Sequence, residues 1–347
     1  MATLGYVTAG DLGNLLLPLH IRGDALAQTI QDKPFLKWWE QKKKSYAGGL
    51  NFQLTERVQG QYMSDTTTIQ GYSQDDQLNF GQAMNAQQSS WFGKEHNYGL
   101  IITWSELKQD GITIDDKQAV RRHSDRDLFV LADVLKNRMA DFAESYARGK
   151  ARLFFLDGSQ DPKAMAGFKS IIQDTPTTGT VGGISKSVYP WWQNRANLTL
   201  QPSGENQTLC RFLTTELLLL KLFGGRPDTA FCGMDFLNAL MMEVRAKGVY
   251  TQEGWTSKEA NDFGQAEISL KGLGTFKWEP MMDQLGEGKR CYILDSRRIK
   301  LRPIEDEDDK TLTPVRPYNY LVFLHNITWS GAMMASQMNC HGVYAIN

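Results

Sequence analysis

The densest run of ionisable side chains is at 304–310, Ile-Glu-Asp-Glu-Asp-Asp-Lys, and the chemistry such a run could do is to hold calcium. A calcium loop needs spaced oxygen ligands and a glycine at its sharp bend. This run has neither, so a solvated acidic loop is expected there. His20, His96, His123, His325 and His341 form no HxxxH or HExxH pair, and a lone histidine is ordinarily a satisfied core or surface residue. Cys210, Cys232, Cys291 and Cys340 are far apart and match no metal spacing, which points to free, mostly buried thiols. Gly272-Leu273-Gly274 lacks the third glycine and the helix of a dinucleotide loop. Neither a GxxxxGK[ST] phosphate loop nor a GxSxG elbow occurs. Serine, histidine and aspartate scattered through a chain of this length are no evidence of a triad, because triad members need no fixed spacing. No catalytic residue, cofactor-binding residue or metal ligand is assigned.

One basic stretch could meet phosphate. In 35–44, FLKWWEQKKK, Lys42, Lys43 and Lys44 follow Trp38 and Trp39. A short amphipathic helix with a solvated basic side is the expectation; the sharper reading is a phosphate-facing surface helped by stacking on the two indoles. The whole chain does not argue for tight nucleic-acid binding, because its net charge is only -1.

The element that must position everything else is a long helix at 124–148. Leu128, Ala132, Leu135, Met139, Phe142 and Tyr146 recur at spacings of four and three on one face, Ser124 is a suitable N-cap, and no proline interrupts. At 1.5 Å per residue it would be roughly 35 Å long. Further helices are expected at 208–223 and 235–247, the second preceded by a strand at 228–232 and stopped by Gly248. With 347 residues, 41% of them hydrophobic, the chain can bury a substantial core in two or more subdomains. The start, MATLGYVTAGDLGN, has neither the basic opening nor the apolar run of a signal peptide, and a soluble intracellular protein is expected. The Asn-X-Ser/Thr triplets at Asn197, Asn206 and Asn326 then carry no glycan.

Residues 48–111 differ from the rest. Gln, Asn, Thr, Ser and Gly dominate; alternation appears in 51–58, where Phe52, Leu54, Glu56 and Val58 share a side, and again in 98–104. So long a stretch with so few core residues is either disordered or an extended arm that finds partners on another chain. Phe52, Tyr62, Tyr72, Phe80, Trp91 and Phe92 favour the arm, as aromatic anchors for a neighbour.

After the helix come Leu156-Asp157-Gly158, then Ala166-Gly167-Phe168 leading to Ile171-Ile172, then Gly179-Thr180-Val181-Gly182-Gly183-Ile184 with Ser187, Tyr189 and Trp191-Trp192-Gln193-Asn194. These resemble the major capsid proteins of tailed bacteriophages, which have the Hong Kong 97-type fold. One group of them carries a similar Gly-Gly-Ile, Ser, Trp-Trp, Arg-Asn signature past its spine helix. This chain departs from it at Gln193, where arginine is usual, and at Lys186. The signature residues here are Gly182, Gly183, Ile184, Ser187, Tyr189, Trp191, Trp192 and Asn194.

The resemblance implies an α+β fold with an N-arm at 1–49, an extended E-loop hairpin at 50–111, a P-domain at 112–181 that includes the spine helix, an A-domain at 182–290, and return strands of the P-domain at 291–347. It implies a structural coat protein, not an enzyme, that self-assembles into hexamers and pentamers of an icosahedral head. Phe52, Tyr62, Tyr72, Phe80 and Trp91 would be inter-subunit contacts, and Lys42, Lys43 and Lys44 an inner-face basic patch. Implied partners are further copies of itself, a portal, separate scaffolding or decoration proteins, and packaged double-stranded DNA held by weak non-specific contact. No cofactor and no membrane is implied, and the location would be the virion after assembly in the host cytoplasm. An encapsulin-type compartment of the same fold and a soluble α+β enzyme are the alternatives.

Overall fold

The computed structural model describes residues 31–48, 52–60, 71–78, 86–103, 105–106, 125–246, 267–270, 273–315 and 322–347. In chain order the elements are α1 (Pro34–Lys42), β1 (Gln53–Gln59), β2 (Ala86–Phe92), β3 (Lys94–Thr103), α2 (Asp125–Phe155), α3 (Phe168–Ile171), β4 (Thr180–Val181) and β5 (Ile184–Ser185). There follow β6 (Arg195–Leu200), α4 (Thr208–Lys221), β7 (Thr229–Cys232), α5 (Met234–Ala246), β8 (Glu267–Leu270), β9 (Gly274–Trp278) and α6 (Pro280–Gln284). The last are β10 (Arg290–Leu294), β11 (Ile299–Pro303), β12 (Lys310–Val315), β13 (Val322–Ala335) and β14 (Gly342–Ile346). Contacts divide the described residues into a larger unit, drawn from 32–97, 147–310 and 328–347, and a smaller one, drawn from 98–146 and 311–327 with Gln31.

The larger unit is built on a six-stranded sheet of order β6-β14-β10-β7-β9-β8. β14 is parallel to β6 and antiparallel to β10; β7 is antiparallel to β10 and parallel to β9. Alternate residues of the central strands go to opposite faces. Ala230, Cys232, Cys291, Ile293, Tyr344 and Ile346 meet Leu209, Leu213 and Leu220 of α4 and Phe236 and Leu240 of α5. Phe231, Tyr292, Leu294 and Val343 meet a second layer that is rich in aromatic rings. There Phe35 of α1 contacts Trp39, Phe155, Phe168 and Phe231 edge-on, at centroid distances of 5.4 to 5.9 Å. The sheet is thus a middle layer. The parallel crossover from β7 to β9 puts its helix, α5, on the aliphatic face.

The strands of 291–347, expected as return strands of the P-domain, divide between two sheets. β11 and β13 do pair with each other, in a four-stranded sheet that also holds β12 and β3. β10 and β14 join the six-stranded sheet. Every residue of β14 is buried, and all of β10 after Arg290, as a strand covered on both faces requires, whereas β11 alternates buried with half-buried as a one-sided strand does.

Helix α2 has 31 residues, about 46 Å at 1.5 Å each. It runs on past the expected end at 148 because Lys150, Ala151, Phe154 and Phe155 continue a buried face. Ser124 and the side chains of Leu128, Ala132, Leu135 and Met139 lie outside the described residues. In the smaller unit, Tyr98 packs on Phe142 and Tyr146 of this helix, at 5.1 and 5.8 Å. Helices α4 and α5 and strand β7 fall within two residues of their expected bounds. Gly248, the expected stop, is outside the described residues. The cysteines are free, and Cys210 is the half-buried one.

Candidate functional site

Among the described residues, strands β1 and β2 pair only with each other, antiparallel, with Leu54 opposite Trp91 and Val58 opposite Gln87. One face of this ribbon is turned inward: Val58, Ser89 and Trp91 are buried, and Ser89 Oγ donates to the Glu56 carbonyl at 3.2 Å. The other face, with Thr55, Arg57, Gln88 and Phe92, is exposed.

The signature residues form the joint that holds the inward face. β4 and β5 are a two-residue hairpin whose central residues, Gly182 and Gly183, have φ of 59° and 79°. Both are left-handed, as the tight turn matching strand twist demands. A Cβ on Gly182 would also come within 2.8 Å of the Trp91 ring. Ser90 N donates to the Gly182 carbonyl at 2.8 Å, and Trp192 Nε1 donates to the Val181 carbonyl at 2.9 Å. Gln87 Nε2 donates to the Tyr189 hydroxyl at 2.9 Å. Trp191 lies flat on Gly60, where a Cβ would fall 1.9 Å from the ring, so only glycine fits.

Asn194 closes the joint from behind. Its Nδ2 donates to the Gln173 and Arg195 carbonyls, and its Oδ1 accepts from Gln173 N and, at 2.9 Å, from Lys186 Nζ. Gln193 Nε2 donates to the Lys186 carbonyl at 2.6 Å. The two positions where the sequence departs from the signature therefore touch each other. Lys186 is fully buried, and burial pushes its ammonium down to about 8. Ile184, Trp192 and Asn194 are buried, Gly182, Tyr189 and Trp191 half-buried, and Gly183 and Ser187 exposed, with Ser187 Oγ 2.9 Å from Ser185 Oγ.

Of the residues grouped as anchors, Phe52 and Tyr72 are 37% and 71% exposed, while Tyr62 and Phe80 lie outside the described residues. Trp91 differs from the others: it is 6% exposed and fills its own chain's core. Phe92 beside it faces out, at 57% exposed, because neighbours in a strand point opposite ways. Gly60 and Ser90 went unread; they are small residues that become informative only once the ribbon is docked.

A second cluster corrects two readings. Trp38 and Trp39 are buried in the aromatic layer, so they cannot stack on a base. The acidic run is not a free solvated loop. Asp309 takes Lys150 Nζ at 2.6 Å, with Glu40 at 3.2 Å on the same ammonium, and Asp308 pairs with Lys43. Lys44 N and Tyr46 N donate to the carbonyls of Leu301 and Pro303, and Glu305 N donates to that of Tyr46. The run thus clasps the chain that leaves α1. The start of α1 is held by Glu279, whose Oε2 accepts from Phe35 N at 2.7 Å and whose Oε1 accepts from Met281 N at 3.4 Å. Glu279 is fully buried, and that burial lifts its carboxyl to about 7. Lys42 and Lys44 remain exposed, with no ion pair among the described residues. Among those residues no group of three or more His, Cys, Asp and Glu could hold a metal ion, and no helix is long and apolar enough to cross a membrane.

No protein-family model matches the sequence, and no curated protein matches it. Solved structures do match in fold. A chain of the cyanophage A-1(L) capsid asymmetric unit aligns over 96% of this chain and 98% of its own, with a TM-score of 0.65 at 12% identity. The capsid of Myoviridae phage XM1 aligns over 99% and 100%, with a TM-score of 0.52 at 11% identity. The capsid of the native GTA particle aligns over 99% of both chains, with a TM-score of 0.53 at 12% identity. The fold is therefore the α+β, Hong Kong 97-type phage capsid fold.

Proposed function

We propose that the chain is a major capsid protein that assembles with copies of itself into the hexamers and pentamers of an icosahedral phage head around double-stranded DNA. The observation that carries this reading is the likeness of fold, end to end, to chains of three capsids. In this reading the β1/β2 ribbon belongs to the E-loop, α2 is the spine helix, and residues 1–49 are the N-arm, with α1 as its seat. The six-stranded sheet with α4 and α5 is the A-domain, and it draws β10 and β14 from the expected return segment. The four-stranded sheet belongs to the P-domain. Phe52, Phe92 and Tyr72 would meet a neighbouring copy, giving exposed apolar surface its burial on association. Lys42 and Lys44 offer a local, weak contact for packaged DNA, which a net charge of -1 would not oppose. Portal, scaffolding and decoration proteins would be partners, and the virion head the location after assembly in the host cytoplasm.

The test is electron microscopy and sedimentation of the purified chain. Closed shells, tubes or hexamer and pentamer rings are the expected result. A monodisperse monomer or dimer, unchanged by concentration and salt, would overturn the reading.

A further inference from the structure

Cys232 and Cys291 play no part in the capsid reading, yet the fold sets them face to face. They stand directly opposite each other on β7 and β10, the central pair of the six-stranded sheet. One step along, Gly233 N donates to the Arg290 carbonyl at 3.0 Å, so the cysteines take the narrow, non-hydrogen-bonded position of the antiparallel ladder. Such positions hold Cα atoms about 4.5 Å apart, within the span of a disulfide. The two sulfurs are 3.3 Å apart. Both side chains are fully buried in the aliphatic layer with α4 and α5. The other two cysteines are engaged elsewhere: Cys340 Sγ donates to the Gln337 carbonyl at 3.5 Å, and Cys210 N donates to Glu243 Oε2 at 3.0 Å.

We propose that Cys232 and Cys291 are a latent disulfide site, thiols in reducing surroundings and joined across the middle of the sheet once the protein meets a low-molecular-weight disulfide. One cysteine, as thiolate, attacks the small disulfide and expels one small thiol. The other, as thiolate, then attacks the protein sulfur of that mixed disulfide and expels the second. Two protein thiols are oxidised, and one small disulfide is reduced to two thiols that take up the two protons. Burial, with the Cys291 sulfur beside it, holds the Cys232 thiol well above its ordinary range. Thiolate is therefore scarce while the sheet is closed, and exchange waits on local opening. The bond closes the chain from 232 to 291 into a loop that holds α5, β8, β9 and α6. It thereby restricts the unfolded chain more than the folded one.

The experiment incubates the reduced, unassembled full-length chain with oxidised glutathione, with and without denaturant just below the unfolding transition. Peptide mapping under non-reducing conditions should find Cys232 joined to Cys291, with Cys210 and Cys340 joined to neither. The joined fraction should grow severalfold faster in the denaturant, because opening limits the exchange. The joined chain should unfold at a higher denaturant midpoint than the reduced chain, and reduction should reverse the shift. Cys232→Ala should leave Cys291 without a protein partner and remove the shift. Three results would each overturn the proposal: both cysteines left unjoined under either condition, either one joined to Cys210 or Cys340, or a joined chain that unfolds at a lower midpoint than the reduced one. The wild-type comparison decides the matter even where the alanine variant does not fold. The readout uses unassembled protein, so it stands or falls apart from whether shells form.

Discussion

The β1/β2 ribbon and the β10/β14 pair are both antiparallel strands of ordinary length, yet one is finished within its own chain and the other is not. β14 has neighbours on both edges and buried residues at every position. Among the described residues the ribbon is a sheet of two strands only, held along its inward face by the joint, with one polar face in water and Phe92 standing out of it. The difference lies in where the stabilising burial comes from: the sheet takes it from folding, whereas the ribbon takes it only along the inward face that the joint covers. Substitutions in the sheet should therefore act on stability, those in the joint on stability and ribbon position together, and those on the outer ribbon face on association alone.

The largest effect is expected at Tyr292, which is 1% exposed against Phe155 and Phe168. Tyr292→Ala should cost about 3–5 kcal/mol in denaturant unfolding, as large aromatic deletions do. A loss under about 1 kcal/mol would mean that this face is not a true core. Next comes Gly182→Val, which combines a left-handed φ with a clash against Trp91. It should cost about 2–3 kcal/mol and change the near-ultraviolet signal of the tryptophans. If the signal stays put while stability falls, the hairpin does not hold the ribbon.

Glu279→Gln gives a smaller, pH-dependent effect. The buried carboxyl has a folded value of about 7, above the ordinary 4.5, so its contribution is present below about 4.5 and is lost as pH rises to 7. Glutamine keeps the acceptor for one helix start without the charge. The melting temperature of the variant relative to wild type should therefore climb between pH 5 and pH 8; a constant difference would show that the charge does not matter to the seat of α1. The smallest effect on stability is expected at Phe92→Ser, within about 0.5 kcal/mol of wild type, as at other exposed sites. The same variant should lose assembly in sedimentation, and a variant that assembles normally would remove the ribbon's outer face from the contact.

Regular periodicity made much of this fold legible. The apolar stripe through Phe142 and Tyr146, the alternation at 98–104 and the 208–223 pattern each report a local repeat, and local repeats survive in sequence. The Gly182-Gly183 pair was legible only as part of the signature, and its left-handed turn came from the structure. What stayed hidden depends on residues far apart. The helix expected at 124–148 runs on to Phe155, and the amphipathic helix expected at 35–44 gave no sign of how deeply Trp38 and Trp39 are buried, because their aromatic partners are distant in sequence. The acidic run looked solvated for the same reason, since Lys150 reaches Asp309 from another element. Exposure along the ribbon followed the period-two rule once Trp91 was known to point inward, and no local signal said which of Trp91 and Phe92 would do so.

The place of β14 in the sheet also bears on synthesis. It lies between β6 and β10, and Gly342 pairs with Arg195, far earlier in the chain. The sheet cannot close as the chain emerges; it must wait until residue 346 has been made, leaving β6 and β10 with open edges meanwhile. Long-range pairing of this kind slows folding and exposes strand edges to wrong partners. The same delay keeps a nascent chain from presenting a finished six-stranded sheet.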